Sequence, residues 1–147
     1  MQINFSHCHI RLIFEYGKID NRLMQLTVEH NQTIYPVSPI FEDNTGHAEL
    51  KFVADLPTVI NFLISGKGVN DTIVDSQGNI IQDCYIKITG LFIDGFEIKP
   101  GAVDRNISVF TENNQQFTTH YLGFNGRAEL RLSKSNVMSQ VLFLNQI

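Results

Sequence analysis

The sequence has no tryptophan, only two cysteines and four prolines. It also has no apolar run near the ~20 residues that a membrane-spanning helix needs. Each shortage excludes something. Without such a run, membrane insertion is not expected. Two cysteines, Cys8 and Cys84, cannot build the multi-bridge framework of small secreted domains. They are expected as partly buried free thiols, because a bridge needs Cα atoms within about 7 Å. Positive charge is short as well: 11 Lys and Arg stand against 15 Asp and Glu, for a formal net charge of -4. The basic residues are scattered, the closest grouping being Lys51, Lys67 and Lys87. Such a surface does not track a phosphate backbone, so nucleic acid is excluded as a partner. The opening MQINFSHCHIRLIF has no basic n-region, long apolar core or small-residue cleavage site. It does not read as a signal peptide, and synthesis in a cytoplasm is expected. Nor is there a Gly-x-Ser-x-Gly elbow, a Walker loop, a dinucleotide fingerprint or a His-Glu-x-x-His helix, which leaves little ground for an enzyme.

What is present is alternation. The 147 residues, 43% hydrophobic and 18% charged, suit one folded domain over 1–147 with a sizeable core. Ile10, Leu12 and Phe14 share one strand face, with Arg11 and Glu15 on the other. Met24, Leu26, Val28 and His30 repeat the pattern, and Gly17 to Asn21 between the two runs reads as a hairpin connection. Leu50 and Phe52 follow a turn signal at Asp43 to Gly46, and Ile60, Phe62 and Ile64 form a further face. In Tyr85 to Ile93 the parity changes: Ile86 and Ile88 lie on one phase, Leu91 and Ile93 on the other. One extra residue near Thr89-Gly90 reconciles them, with glycine supplying the unusual backbone angles of a bulge. Ser133 to Asn145 fits a helix, with Val137, Met138, Val141 and Leu142 at helical spacing, or a strand; its short VLFL ending, rich in strand formers, favours a terminal strand. Gly46-His-Ala-Glu-Leu50 is echoed by Gly126-Arg-Ala-Glu-Leu130, either as two similar strand starts with an exposed Glu or as duplicated half-sandwiches. Many short strands with turns between them predict an antiparallel, jelly-roll-like β-sandwich.

Three groupings carry candidate chemistry. His7 and His9 project from one strand face about 7 Å apart and begin a zinc site if a third ligand joins them; otherwise they are polar residues on a solvated face. The connection from Gly66 to Tyr85 gathers Asn70, Asp71, Asp75, Asn79 and Asp83. Oxygen-rich loops of this kind suit calcium, while Asp75-Ser-Gln-Gly78 is equally a hairpin turn. Tyr35, Tyr85, Tyr121 and Phe124 lie near loops and are candidates for a ring face that stacks on a sugar, or for ordinary packing.

An apolar strand at Val59 to Ile64, the Asn70-Asp71 pair, a polar loop and Asp83-Cys-Tyr-Ile-Lys-Ile88 leading to Asp94-Gly95 resemble the calcium-dependent xylan-binding carbohydrate-binding modules. That resemblance implies a β-sandwich in which calcium bridges loop carboxylates and sugar hydroxyls, with Asn70, Asp71 and Asp83 as ligands. Cys84-Tyr85 replaces the family's Arg-Asn, and the loop here is long. Tyr121-Leu-Gly-Phe-Asn-Gly126 and Gly66-Lys-Gly-Val-Asn-Asp71 are also similar to segments of small β-sandwich virion proteins of tailed phages. This second likeness implies a non-enzymatic structural or accessory protein on the virion, docking to neighbouring virion proteins or to a second copy of itself. That is the leading expectation. The alternative is a calcium-assisted glycan-binding module using Asn70, Asp71, Asp75 and Asp83 for the cation and Tyr85, Tyr121 and Phe124 for the sugar. A metal-dependent enzyme using His7 and His9 comes third.

Overall fold

The alternating segments form strands because each has one apolar face that must leave water. In β1 (Cys8–Gly17) the inward side chains Ile10, Leu12, Phe14 and Tyr16 are buried. A computed structural model describes residues 8–20, 22–40, 44–52, 58–68, 70–99, 101, 103–104 and 107–132. The expected terminal strand at 133–145, His7 and Asp43 lie outside them. β1 pairs antiparallel with β5 (Thr45–Phe52) on one side and β9 (Tyr85–Ile93) on the other. β4 (Ser38–Ile40) extends the sheet beyond β5. The free edge of β9 carries β10 (Phe96–Glu97) at one end and β13 (Tyr121–Leu122) at the other.

The second sheet runs β12 (Gln116–Thr118), β11 (Ile107–Thr111), β14 (Gly126–Leu132), β6 (Thr58–Ser65), β2 (Gln25–His30), β3 (Thr33–Tyr35). Its inner face presents Val28, Ile60, Phe62, Ile107, Val109 and Leu130 to Leu12, Phe14, Leu50, Ile86 and Ile93 of the first, in one continuous core. Phe14 and Phe62 meet edge to face across the two sheets, centroids 6.5 Å apart. Full burial of a side chain of this size is worth about 1.5–3 kcal/mol. The chain changes sheet repeatedly, from β1 to β2, from β5 to β6 and from β9 to β11. The architecture is the expected antiparallel, jelly-roll-like β-sandwich. A separate hairpin, β7 (Thr72–Val74) with β8 (Ile80–Asp83), stands off both sheets and leaves Val74, Ile80 and Ile81 exposed.

The parity change in β9 is a bulge at the expected place. Ile13 pairs with Gly90 and Phe14 with Ile88, so Thr89 is the unpaired extra residue and points outward. The reason for Gly90 differs from the expected one. It is not among the residues with positive φ; instead, a Cβ there would sit 3.2 Å from the Ile13 side chain. Close approach, not backbone angle, selects glycine.

Two expectations are corrected. Gly17 to Asn21 is not a hairpin connection, because β1 and β2 belong to different sheets and do not pair. A tight local turn brackets Ile19 and Arg22, and Ile19 is buried in the core. Anchoring that side chain carries the chain over the end of the sandwich instead of back along β1. The echoed segments are interior strands of the two facing sheets, but their glutamates differ. Glu49 is half exposed, whereas Glu129 is nearly covered, its oxygens 3.4 Å from Arg127 and 2.9 Å from Arg131. The two arginines lie two residues to either side on the same strand face and close over it.

Candidate functional site

The richest polar cluster lies where β13 joins the edge of β9. Tyr85 sits opposite Gly17 of β1, and Tyr121 sits opposite Lys87 of β9. Directly paired residues share a sheet face, so both rings stand on the outer face of the first sheet. They stack, with centroids 4.8 Å apart and planes 24° from parallel. Gly17 is the floor of this stack: a Cβ there would overlap Cε1 and Cδ1 of Tyr85. Tyr121 is the outer ring, 37% exposed.

Both hydroxyls are held. Tyr121 Oη donates to Asp83 Oδ2, and Tyr85 Oη donates to Glu15 Oε2 at 3.3 Å. Burial raises both phenols above their ordinary value; the hydrogen bond to Asp83 adds to this at Tyr121, and the Glu15 charge adds to it at Tyr85. Asp83 also accepts from Lys67 Nζ at 2.7 Å and from the Thr72 hydroxyl at 2.6 Å, both at Oδ1. Burial alone would raise this carboxyl, but hydrogen bonds from Lys67, Thr72 and Tyr121 outweigh it and hold it below the usual carboxylate range.

Lys67 reaches the site from the loop after β6. Asn125 fixes its backbone from both sides, accepting from Lys67 N and donating to Lys67 O, each at 2.9 Å. Lys67 Nζ donates to Gly123 O at 2.6 Å as well as to Asp83. Next in the loop, Asp71 is buried to 3% side-chain exposure. Its Oδ2 accepts from Gly68 N, and its Oδ1 lies 2.7 Å from Arg22 Nη1. That second contact is an ion pair without an aligned N–H, since Oδ1 has no hydrogen bond of good angle. Cys84 follows Asp83 and turns inward as a buried free thiol, raised by burial and then by the Asp71 charge. The two phenols and the thiol are raised and Asp83 is lowered, so these four move away from proton transfer near neutral pH.

No protein-family model and no curated protein matches this chain. Two solved structures do, both of a module named vCBM60. One, in complex with galactobiose, is 11% identical with a TM-score of 0.46, covering 84% of this chain and 97% of the other. The second is the selenomethionine form, reported with a circular permutation linking two families of calcium-dependent carbohydrate-binding modules. It is 10% identical with a TM-score of 0.46, covering 84% of this chain and 90% of the other. Overlays this loose carry no residue's role onto this chain.

Of the sequence candidates, Tyr85, Tyr121 and Asp83 come together, with Asp71 on the adjoining loop. Asn70 is exposed in the turn before Asp71. Asp75 sits at the tip of the β7–β8 hairpin, about 10 Å from Asp83 by strand length. There its Oδ1 caps the turn, accepting from Gln77 N and Asn79 N at 2.9 Å, and these bonds, Asn79 first, lower its carboxyl. Phe124 is half-buried against the core, edge-on to Phe117 at 5.7 Å. Tyr35 packs on the core from β3, in the other sheet. His9 Nε2 lies 3.7 Å from Glu49, and among the described residues no three His, Cys, Asp or Glu side chains gather as a metal group. Sequence reading missed Lys67, Gly17, Glu15, Arg22 and Asn125. The one available signal was Lys67 itself, flanked by Gly66 and Gly68 three residues before an Asn-Asp pair.

Proposed function

We propose that this chain is a non-catalytic carbohydrate-binding domain whose sugar platform is the exposed ring of Tyr121, backed by Tyr85. The observation that carries this reading is the stacked pair on a glycine floor with both hydroxyls anchored. A ring face offers the apolar surface that the C–H face of a pyranose needs, and Glu15 and Lys87 at its margin offer partners for hydroxyls. The pair is already ordered, so a ligand does not have to immobilise it. The virion role expected from sequence likeness gains no observation among the described residues. If the gene lies among virion genes, the same platform would serve a particle-borne protein that meets cell-surface glycans.

The test is a glycan array followed by calorimetry on any hit. The expected result is a saturable oligosaccharide ligand whose binding is weakened about fivefold in Tyr121→Ala while the circular dichroism spectrum is kept. Absence of any glycan ligand, or a ligand that binds Tyr121→Ala equally well, removes the reading.

A further inference from the structure

The loop carboxylates that the sequence offers to calcium are all engaged by the protein itself. Asp71 faces Arg22 and Gly68 N, Asp75 caps the hairpin turn, and Asp83 takes Lys67, Thr72 and Tyr121. The decisive group is Lys67. Its ammonium sits between a carboxylate oxygen and a main-chain carbonyl oxygen, at 2.7 and 2.6 Å, with the side chain only 14% exposed. Those are the oxygen types that a hard cation takes. Calcium, however, needs six to eight of them at about 2.3–2.6 Å, whereas an ammonium is satisfied by up to three acceptors at about 2.7–2.9 Å. The residues present fit the ammonium and do not fit the metal.

We infer that Lys67 is a covalently tethered cation occupying Asp83, one of the ligands the resemblance implies, while Arg22 occupies Asp71, so this loop cluster binds no divalent ion. The tether joins three remote segments: the loop after β6, the end of β8 at Asp83, and Gly123 after β13. By favouring the ionised form of Asp83 it also keeps that carboxylate an acceptor for the Tyr121 hydroxyl. This cross-link is permanent and independent of any ion's concentration. The inference stands whether or not the tyrosine platform takes a sugar, because its readouts use none.

The experiment is thermal unfolding of the full chain in EDTA and across calcium concentrations into the millimolar range. It is followed by tyrosine fluorescence, which is unobscured because the chain has four tyrosines and no tryptophan. For the wild type, the midpoint should agree in EDTA and in calcium to within about one degree, since a ligand that does not bind the native state does not stabilise it. Lys67→Met should unfold several degrees lower with an altered tyrosine signal, and Lys67→Arg should recover part of the loss. A saturable calcium-dependent rise in the wild-type midpoint overturns the inference. So does a Lys67→Met protein with unchanged midpoint and unchanged fluorescence. If Lys67→Met does not fold, the wild-type calcium series decides alone.

Discussion

Tyr121 donates its hydroxyl to Asp83, a residue 38 positions earlier in the chain, and so the exposed ring of the stack is tied to the carboxylate that also holds Lys67. Ring and anchor can be separated by substitution. Tyr121→Phe keeps the aromatic plate and removes one of three donors from Asp83. Tyr121→Ala removes both. If the ring face carries the sugar, the alanine variant should lose about 1 kcal/mol of glycan binding, roughly fivefold in Kd, with the phenylalanine variant much closer to wild type. Calorimetry on the array hit checks the order. Equal losses in the two variants would place the contact on the hydroxyl instead.

His30 makes the fold sensitive to mild acid. It lies on the inner face of β2, buried, with Nε2 2.6 Å from the Thr58 hydroxyl. Burial lowers its pKa below the ordinary value. In the unfolded chain the imidazole takes its proton near pH 6.5, while in the folded chain it resists until lower pH. The unfolded state therefore binds more protons in that window. The His30 contribution to stability is flat above about pH 6.5 and falls as pH drops toward the lowered folded value. Urea midpoints at pH 7.5 and 5.5 should differ in the wild type and converge in His30→Gln. A His30→Gln protein with the wild-type slope would assign the effect to another group.

How much of this was legible in the sequence depends on how local each feature is. Alternation is a property of neighbours, so the inward faces of β1, β2 and β6 could be read directly, and the parity change in β9 located Thr89. Pairing partners are remote. Turn residues at 17–21 look the same whether a chain folds back or crosses to another sheet, and only the burial of Ile19 distinguishes the two. Tyr85 and Tyr121 were each visible as candidates, but their stack exists only because β13 pairs with β9. Lys67 stood only among scattered basic residues, since its acceptors at Asp83 and Gly123 lie 16 and 56 residues away. Glu49 and Glu129 share a motif and differ in burial, because Arg127 and Arg131 flank Glu129 on its strand face, whereas His47 and Lys51 stand at the matching places beside Glu49.

Cys84 should behave as an inert thiol. It is buried, and burial followed by the Asp71 charge raises its pKa, which disfavours the reactive thiolate. It also stands at the opposite end of β1 from Cys8: Gly17 pairs with Tyr85, nine strand residues or about 30 Å from residue 8. No bridge between the two is expected. Iodoacetamide at pH 8 should leave Cys84 unlabelled in the native protein and label it fully in denaturant, as read by peptide mass mapping. Native labelling at Cys84 would show that this end of the sandwich opens readily.

Gly17 is the position where backbone and site meet most tightly. A Cβ there would overlap the Tyr85 ring and sit 2.8 Å from the Asp83 carbonyl oxygen. Gly17→Ala therefore forces the ring off its floor and spoils the stack on Tyr121, an overpacking cost of about 1–3 kcal/mol. Urea unfolding should show this loss, and any glycan affinity should fall with it. A double-mutant cycle separates the two clashes. In a Tyr85→Ala background the ring is gone, so Gly17→Ala should cost much less than it does alone. The same cost in both backgrounds would mean that the main-chain oxygen of Asp83, and not the tyrosine, is what requires glycine at this position.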